Sequence, residues 1–231
     1  MKNIKHLFFD LDRTLWDFEK NSHEELVSIY ERNKLHQKGI SLKEEFIKVY
    51  KEINDECWEL YRNNQMTKET LRSERFNRTL HYFGISDQEL SEEIGGQYIE
   101  NSPKRTTLID GALDLLDYLM GKYQMHIITN GFEEVQFLKL NNSGLSNYFD
   151  VVITSEAVGF KKPNPIIFEY ALTKANAKAN ESVMIGDDLQ TDIKGGLSAG
   201  MECIYYNPHN VQHDLSLLAD IQQLHAMKLI L

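Results

Sequence analysis

After Pro103 the chain alternates short apolar runs with helix-length amphipathic stretches, and no other feature narrows its possible folds as far. Met125-His126-Ile127-Ile128-Thr129, Val151-Val152-Ile153-Thr154, Ser182-Val183-Met184-Ile185-Gly186 and Glu202-Cys203-Ile204-Tyr205-Tyr206 read as strands. Stretches near 110–122, 132–142, 165–176 and 190–199 read as the helices between them. Such alternation produces a parallel sheet covered on both faces. One more strand-like run, Ile4 to Leu11, stands alone at the start. Between it and Pro103 only helical periodicity occurs: Leu26, Val27 and Tyr30; Leu42, Phe46, Val49, Tyr50 and Ile53; Leu71, Leu80 and Phe83; Leu90, Ile94 and Tyr98. Ser41 with Glu44 and Ser86 with Glu89 have capping-box spacing, which predicts two helix starts. Asn164-Pro165 supplies an N-cap and a first-turn proline for another. The simplest assembly is a doubly wound, Rossmann-like α/β core of residues 1–17 and 104–231, with an all-helical domain inserted at 18–103.

Charge and apolar content exclude several classes of function. The net charge is −10, from 25 basic and 35 acidic residues, which leaves no basic footprint for a nucleic-acid backbone. No apolar run approaches the ~20 residues of a membrane span. The opening MKNIKHLFFDLD reaches Asp10 too early for a signal-peptide core. Cys57 and Cys203 are far apart and read as two buried, reduced thiols in a cytoplasmic protein.

In an open α/β sheet, ligands bind beyond the carboxyl ends of the strands. The first strand ends in Asp10-Leu11-Asp12-Arg13-Thr14 and the second in Thr129-Asn130-Gly131. Gly159-Phe160-Lys161-Lys162-Pro163 follows the third, and the fourth ends in Gly186-Asp187-Asp188, with Asp192 beyond. Acids crowded at one edge repel each other unless a cation compensates. Magnesium suits a few carboxylates together with waters and a substrate phosphate. Thr129 and Lys162 would then hold the phosphate oxygens. Asp10 and Asp12, two residues apart, suit a carboxylate nucleophile and a general acid/base. Each acid taken singly has a plainer reading as a turn or helix cap; their joint placement at successive strand ends favours chemistry.

Asp10-Leu11-Asp12-Arg13-Thr14-Leu15, Thr129-Asn130, Lys162-Pro163 and Gly186-Asp187-Asp188-Leu189-Gln190-Thr191-Asp192 resemble, in order, the four motifs of the haloacid dehalogenase superfamily. The helical insert resembles that family's C1 cap. The resemblance implies a magnesium-dependent phosphomonoesterase. Asp10 would form an aspartyl-phosphate and bind magnesium. Asp12 would protonate the leaving group and later activate water, with its backbone carbonyl on the metal. Thr129 and the backbone amide of Asn130 would hold the phosphoryl group, and Lys162 would neutralise it. Asp187 would be a metal ligand, with Asp188 and Asp192 orienting the site from behind. Arg13 departs from the commoner Gly, Asn or Asp of the motif and is expected to point away from the metal. The run Trp16-Asp17-Phe18 resembles the pyrimidine 5'-nucleotidase branch. There Trp16 and Phe18 would stack on a base, or else pack between cap and core. The implied substrate is a small phosphate ester, most readily a nucleoside 5'-monophosphate, hydrolysed by a cytoplasmic monomer or small homo-oligomer. A phosphosugar phosphatase or mutase is the alternative. A dehalogenase would need neither Asp12 nor Asp187, and a catalytically silent phosphate-binding regulator would not keep the whole set.

Overall fold

The computed structural model of the chain describes residues 3–231. Among the described residues, one sheet is present, of strands β1 (His6–Phe9), β2 (Gln124–Thr129), β3 (Val151–Thr154), β4 (Ser182–Gly186), β5 (Glu202–Tyr206) and β6 (Ala219–Ile221). All neighbours run parallel, in the order β3-β2-β1-β4-β5-β6. The expected doubly wound α/β core is therefore what the chain forms. β6 was not foreseen; Ala-Asp-Ile is too short to register as a strand pattern.

Parallel strands buried on both faces need no alternation of apolar and polar residues, which explains the near-continuous apolar runs. Leu7 and Phe9 of β1 point into one layer with Ile127, Ile185 and Ile204. Phe8, between them, points into the other, with Ile128, Met184 and Cys203. The connecting helices are α5 (Ala112–Leu119), α6 (Glu133–Asn142), α7 (Ser155–Val158), α8 (Pro165–Lys174) and α9 (Lys194–Ser198), the last entered through a π-helical turn at Leu189–Ile193. Asn164 caps α8 by accepting from the Ile166 amide at 3.0 Å.

The chain divides into two compact units: one runs through Phe18 and resumes at Thr106–Leu231, and the other is Glu19–Arg105. The second consists of α1 (Phe18–Arg32, entering from Phe18), α2 (Lys43–Arg62), α3 (Lys68–Tyr82) and α4 (Gln88–Asn101) around Leu26, Phe46, Tyr50, Phe76 and Ile94. The capping-box expectation fails here. Leu42 stands at the N-cap of α2 with no side-chain cap, and Asp87, not Ser86, caps α4 through the Leu90 amide at 2.9 Å. Aspartate and serine cap equally well, so spacing alone misplaced the start by one residue. Among the described residues no helix is long and apolar enough to cross a membrane.

His6 and His126, on adjacent strands, meet inside the core, with His6 Nδ1 3.2 Å from His126 Nε2 and the rings stacked. Among the described residues His126 Nδ1 has no hydrogen-bond partner. The Nε2–H tautomer is therefore favoured, since it donates to His6 and leaves an unmet acceptor rather than an unmet N–H. Burial, reinforced by His6, lowers the His126 pKa to about 4. Unfolded His titrates near 6.5, so between those values the unfolded chain binds the extra proton and acid favours unfolding. Lowering pH from 7.5 to 5.5 should therefore cost wild type roughly 1 kcal/mol more unfolding free energy than it costs His126→Gln. Urea titrations of both proteins at the two pH values measure this; parallel losses would show that His126 does not titrate as described.

Candidate active site

The strand order reverses direction on either side of β1, and the crevice lies beyond the carboxyl ends of β1, β2 and β4. Asp10 follows β1 directly, and its amide donates to Ile185 O at 2.9 Å, continuing the ladder with β4. Thr129 is the last residue of β2, and Asp187 follows β4.

Lys162 sits at the centre of this edge, 2% exposed. Its ammonium lies 2.5 Å from Asp10 Oδ1 and 2.6 Å from Asp192 Oδ1, and donates to Ile128 O at 2.8 Å. Burial alone would discharge it, but the two carboxylates outweigh burial and raise its pKa above the usual lysine range. Lys161, the competing lysine, is half-buried, and burial lowers its pKa. The loop carrying Lys162 is stapled by Asn130. The Asn130 side chain accepts from Lys162 N at 2.8 Å and donates to Lys162 O at 3.0 Å. The resemblance had drawn attention only to the Asn130 backbone amide. The side-chain staple is a signal that residue types alone do not carry.

Asp10, Asp187 and Asp192 can each direct a carboxylate oxygen to a point where all three lie within 4.8 Å of one another. Desolvation, with the neighbouring acids, pushes Asp10 well above the ordinary carboxylate range despite Lys162. Asp187 rises to about 7, by burial first and Asp192 next. Asp192 rises by burial, with Lys162 opposing. Two buried carboxylates and one half-buried one thus share a single lysine, and crowding disfavours their charged forms unless a further cation is present. A hard dication with oxygen ligands fits that donor set. Thr14 Oγ1 donates to Asp187 Oδ1 at 3.1 Å and fixes its orientation.

Asp192 belongs inside this cluster, not behind it. Its place requires Gly186, where a Cβ would fall 2.3 Å from Asp192 Oδ2. Asp188 turns away: its carboxylate caps the π-helical turn, accepting from Gln190 N at 2.8 Å and Thr191 N at 3.0 Å. Thr129 Oγ1 accepts from Gly131 N at 3.0 Å, which leaves its own proton available to a ligand. The Asp12 side chain stays outside the acid trio and is held by α6, where Gln136 and Lys139 contact it.

Arg13 packs against an aromatic ring. It adopts φ 65°, its guanidinium stacks 4.5 Å above the Phe18 ring, and its charge lowers the Asp187 pKa against the larger upward effect of burial. Trp16 has no exposed surface, and the Lys139 ammonium lies 4.1 Å from its ring centroid. The ring is packing in this arrangement, and only the half-buried Phe18 retains exposed aromatic surface.

Residues 4–200 match the family model of haloacid dehalogenase-like hydrolases. The chain is 32% identical over 210 residues to the HAD-hydrolase YfnB of Bacillus subtilis (strain 168), covering 90% of this chain and 86% of that protein. The crystal structure of magnesium-bound YfnB superimposes with a TM-score of 0.88 at 29% identity, over 99% of each chain. Pyrimidine 5'-nucleotidase YjjG of Escherichia coli (strain K12) is 31% identical over 205 residues, 88% of this chain and 86% of YjjG. Glyceraldehyde 3-phosphate phosphatase of Methanothermobacter thermautotrophicus is 30% identical over 234 residues, 96% of this chain and 98% of its own. With the family model spanning most of its length and the strand-end acids in place, this chain belongs to the haloacid dehalogenase-like hydrolases.

Proposed function

We propose that the protein is a phosphomonoesterase working through a covalent aspartyl-phosphate on Asp10. The observation that carries this reading is the buried Asp10–Lys162 pair at 2.5 Å inside a cluster of acids. Lys162 engages Oδ1, which leaves Oδ2 of Asp10 to attack phosphorus. Thr129 Oγ1–H and the Asn130 amide bind the phosphoryl oxygens. As the Asp10 oxygen–phosphorus bond forms and the ester oxygen–phosphorus bond breaks, Asp12 gives a proton to the leaving oxygen. Asp12 then takes a proton from water, whose oxygen attacks phosphorus and releases Asp10 and inorganic phosphate. Asp10, Asp187 and the backbone carbonyl of Asp12 would hold magnesium, with Asp192 alongside. When bound, the metal neutralises charge on the phosphoryl group and on the acids around it.

We assign the inserted unit, Glu19–Arg105, as the cap that selects the leaving group, because the motifs at the strand ends read only a phosphate. Within phosphate esters we favour pyrimidine nucleoside 5'-monophosphates, on the likeness to YjjG and the surface that Phe18 retains. A phosphosugar or triose-phosphate phosphatase is the second reading, favoured by the likeness to glyceraldehyde 3-phosphate phosphatase and by the complete burial of Trp16. Two buried free thiols, Cys57 and Cys203, suit a cytoplasmic enzyme.

Asp10→Asn should lower phosphate release by roughly 10³-fold or more, since the amide is isosteric but not nucleophilic. Its melting temperature should match or exceed wild type, because one buried acid is gone. Near-normal release of 4-nitrophenol from its phosphate by this variant would remove Asp10 from the mechanism.

Excess chelator should abolish turnover and magnesium should restore it, whereas calcium, with its longer bonds and higher coordination number, should restore little. Undiminished phosphate release in chelator would rule out the metal.

Substrate class is decided by a phosphate-release screen over pyrimidine and purine monophosphates, sugar phosphates and triose phosphates. If a pyrimidine base stacks on Phe18, Phe18→Ala should raise KM for that nucleotide about five-fold or more. KM for a triose phosphate should hold within about two-fold, because that ester has no ring to stack. Equal effects on both esters, or a screen led by a sugar or triose phosphate, would favour the second reading.

A further inference from the structure

Two polar side chains on α6 point inward and have no part in the chemistry set out above. Gln136 and Lys139 lie three residues apart, so they share one helix face. Gln136 is 1% exposed and Lys139 4%. A buried ammonium needs an anion, and Lys139 Nζ meets Asp12 Oδ1 at 2.5 Å. Gln136 Nε2 donates to the other oxygen, Oδ2, at 2.8 Å. One helix thus grips both oxygens of one carboxylate.

Each arm of this grip is itself braced. The Lys139 ammonium rests on the face of the fully buried Trp16 ring, 4.1 Å from its centroid. Gln136 runs across Gly131, where an added Cβ would fall 1.6 Å from Gln136 Nε2. Position 131 must therefore lack a side chain if Gln136 is to reach Asp12. The Asp12 side chain remains 24% exposed, so its open side is accessible to a small molecule. Each carboxylate oxygen also keeps lone-pair capacity beyond the hydrogen bond it already accepts.

We propose that Lys139 and Gln136 are positioning residues that aim the Asp12 carboxylate, with Trp16 and Gly131 bracing them; this rests on the reading of Asp12 as proton donor and acceptor. An unrestrained aspartate samples several χ1 wells, and proton transfer needs one that brings an oxygen within hydrogen-bond reach of the leaving oxygen. Holding both oxygens selects that well before substrate arrives. Neither arm belongs to the Asp10, Asp187 and Asp192 cluster, so its loss acts only on steps that use Asp12.

The test is a double-mutant cycle on the full chain with magnesium present, measured as kcat/KM for 4-nitrophenyl phosphate and for an alkyl phosphate ester. The alkyl ester needs its leaving oxygen protonated, whereas the nitrophenyl ester does not. Lys139→Met should lower kcat/KM for the alkyl ester about ten-fold or more and for the aryl ester less than about three-fold, the pattern of a lost general acid. Lys139→Arg should recover part of the loss. In an Asp12→Asn background the same Lys139→Met change should cost less than about two-fold, because nothing remains to be aimed. Gln136→Leu, which leaves no unpaired charge, should repeat the pattern more weakly; it carries the test if Lys139→Met lowers the melting temperature. Equal losses on both esters, or losses that multiply with Asp12→Asn, would overturn the positioning role and leave the phosphatase reading intact. An Asp12→Asn variant as active as wild type on the alkyl ester would instead overturn the proton role of Asp12, and the positioning proposal with it.

Discussion

A single ammonium group holds the carboxyl edge of the sheet together. Lys162 Nζ touches Asp10, Asp192 and the Ile128 carbonyl, groups that come from the ends of β1 and β2 and from the segment after β4. Burying one charge is costly, and burying several of one sign without a counter-ion is prohibitive. The lysine makes the acid cluster tolerable, and the acids in turn keep the lysine charged. Its neighbours follow from this need. Asn130 grips the backbone on both sides of Lys162 so that the ammonium arrives where the carboxylates are. Asp192 Oδ2 accepts the Asp188 amide at 3.2 Å, which ties the turn after β4 to the same centre. Gly186 leaves the space that this turn occupies.

Much of this architecture is legible in the sequence because parallel strands and strand-end acids leave strong marks. An apolar run bounded by turns reads as a buried strand whatever its neighbours, and five of the strands announce themselves in that way. β6 does not, since three residues at a sheet edge carry no pattern. The site is legible where a residue's chemistry is unusual for its position, as with Asp10 or Lys162. It is not legible where an ordinary polar residue is turned inward. Nothing in the residue types of Gln136 and Lys139 marks them as inward-facing, and only the folded backbone shows them buried against Asp12. Asp188 and Asp192 show the opposite difficulty. They are chemically identical and four residues apart, yet one caps a turn and the other faces Lys162. The difference is set by the path of the π-helical turn between them, which no residue type encodes.

The aromatic and cationic side chains after β1 form a second organised group. Phe18 lies under the Arg13 guanidinium, at 4.5 Å, and within 5.8 Å of the Lys139 ammonium, which also covers Trp16. Ring faces carry partial negative charge and attract cations in addition to the acids nearby. Lys139 therefore has two partners, the Trp16 ring face and the Asp12 carboxylate, while Asp10 and Asp192 meet Lys162. Likeness of fold alone would not distinguish this arrangement from others on the same scaffold, because function resides in side chains grafted onto it.

The position of β1 has a consequence for how the chain assembles. It precedes β2 to β6 along the chain, yet it lies in the middle of the sheet, and His6 pairs with Gln124 on one side and Ser182 on the other. Its hydrogen-bonding partners leave the ribosome only after the helical unit is complete. Assembly of the sheet is therefore dominated by contacts distant along the chain, which slows folding. The excursion through the helical unit adds little to that burden at equilibrium. Closure entropy grows with the logarithm of loop length, so a ten-fold longer excursion costs only about 2 kcal/mol. An insert with its own apolar centre around Phe46, Tyr50 and Phe76 can offset that cost by itself. The break after Phe18 is thus a place where whole modules can be exchanged over evolution while the sheet and its acid edge remain unchanged.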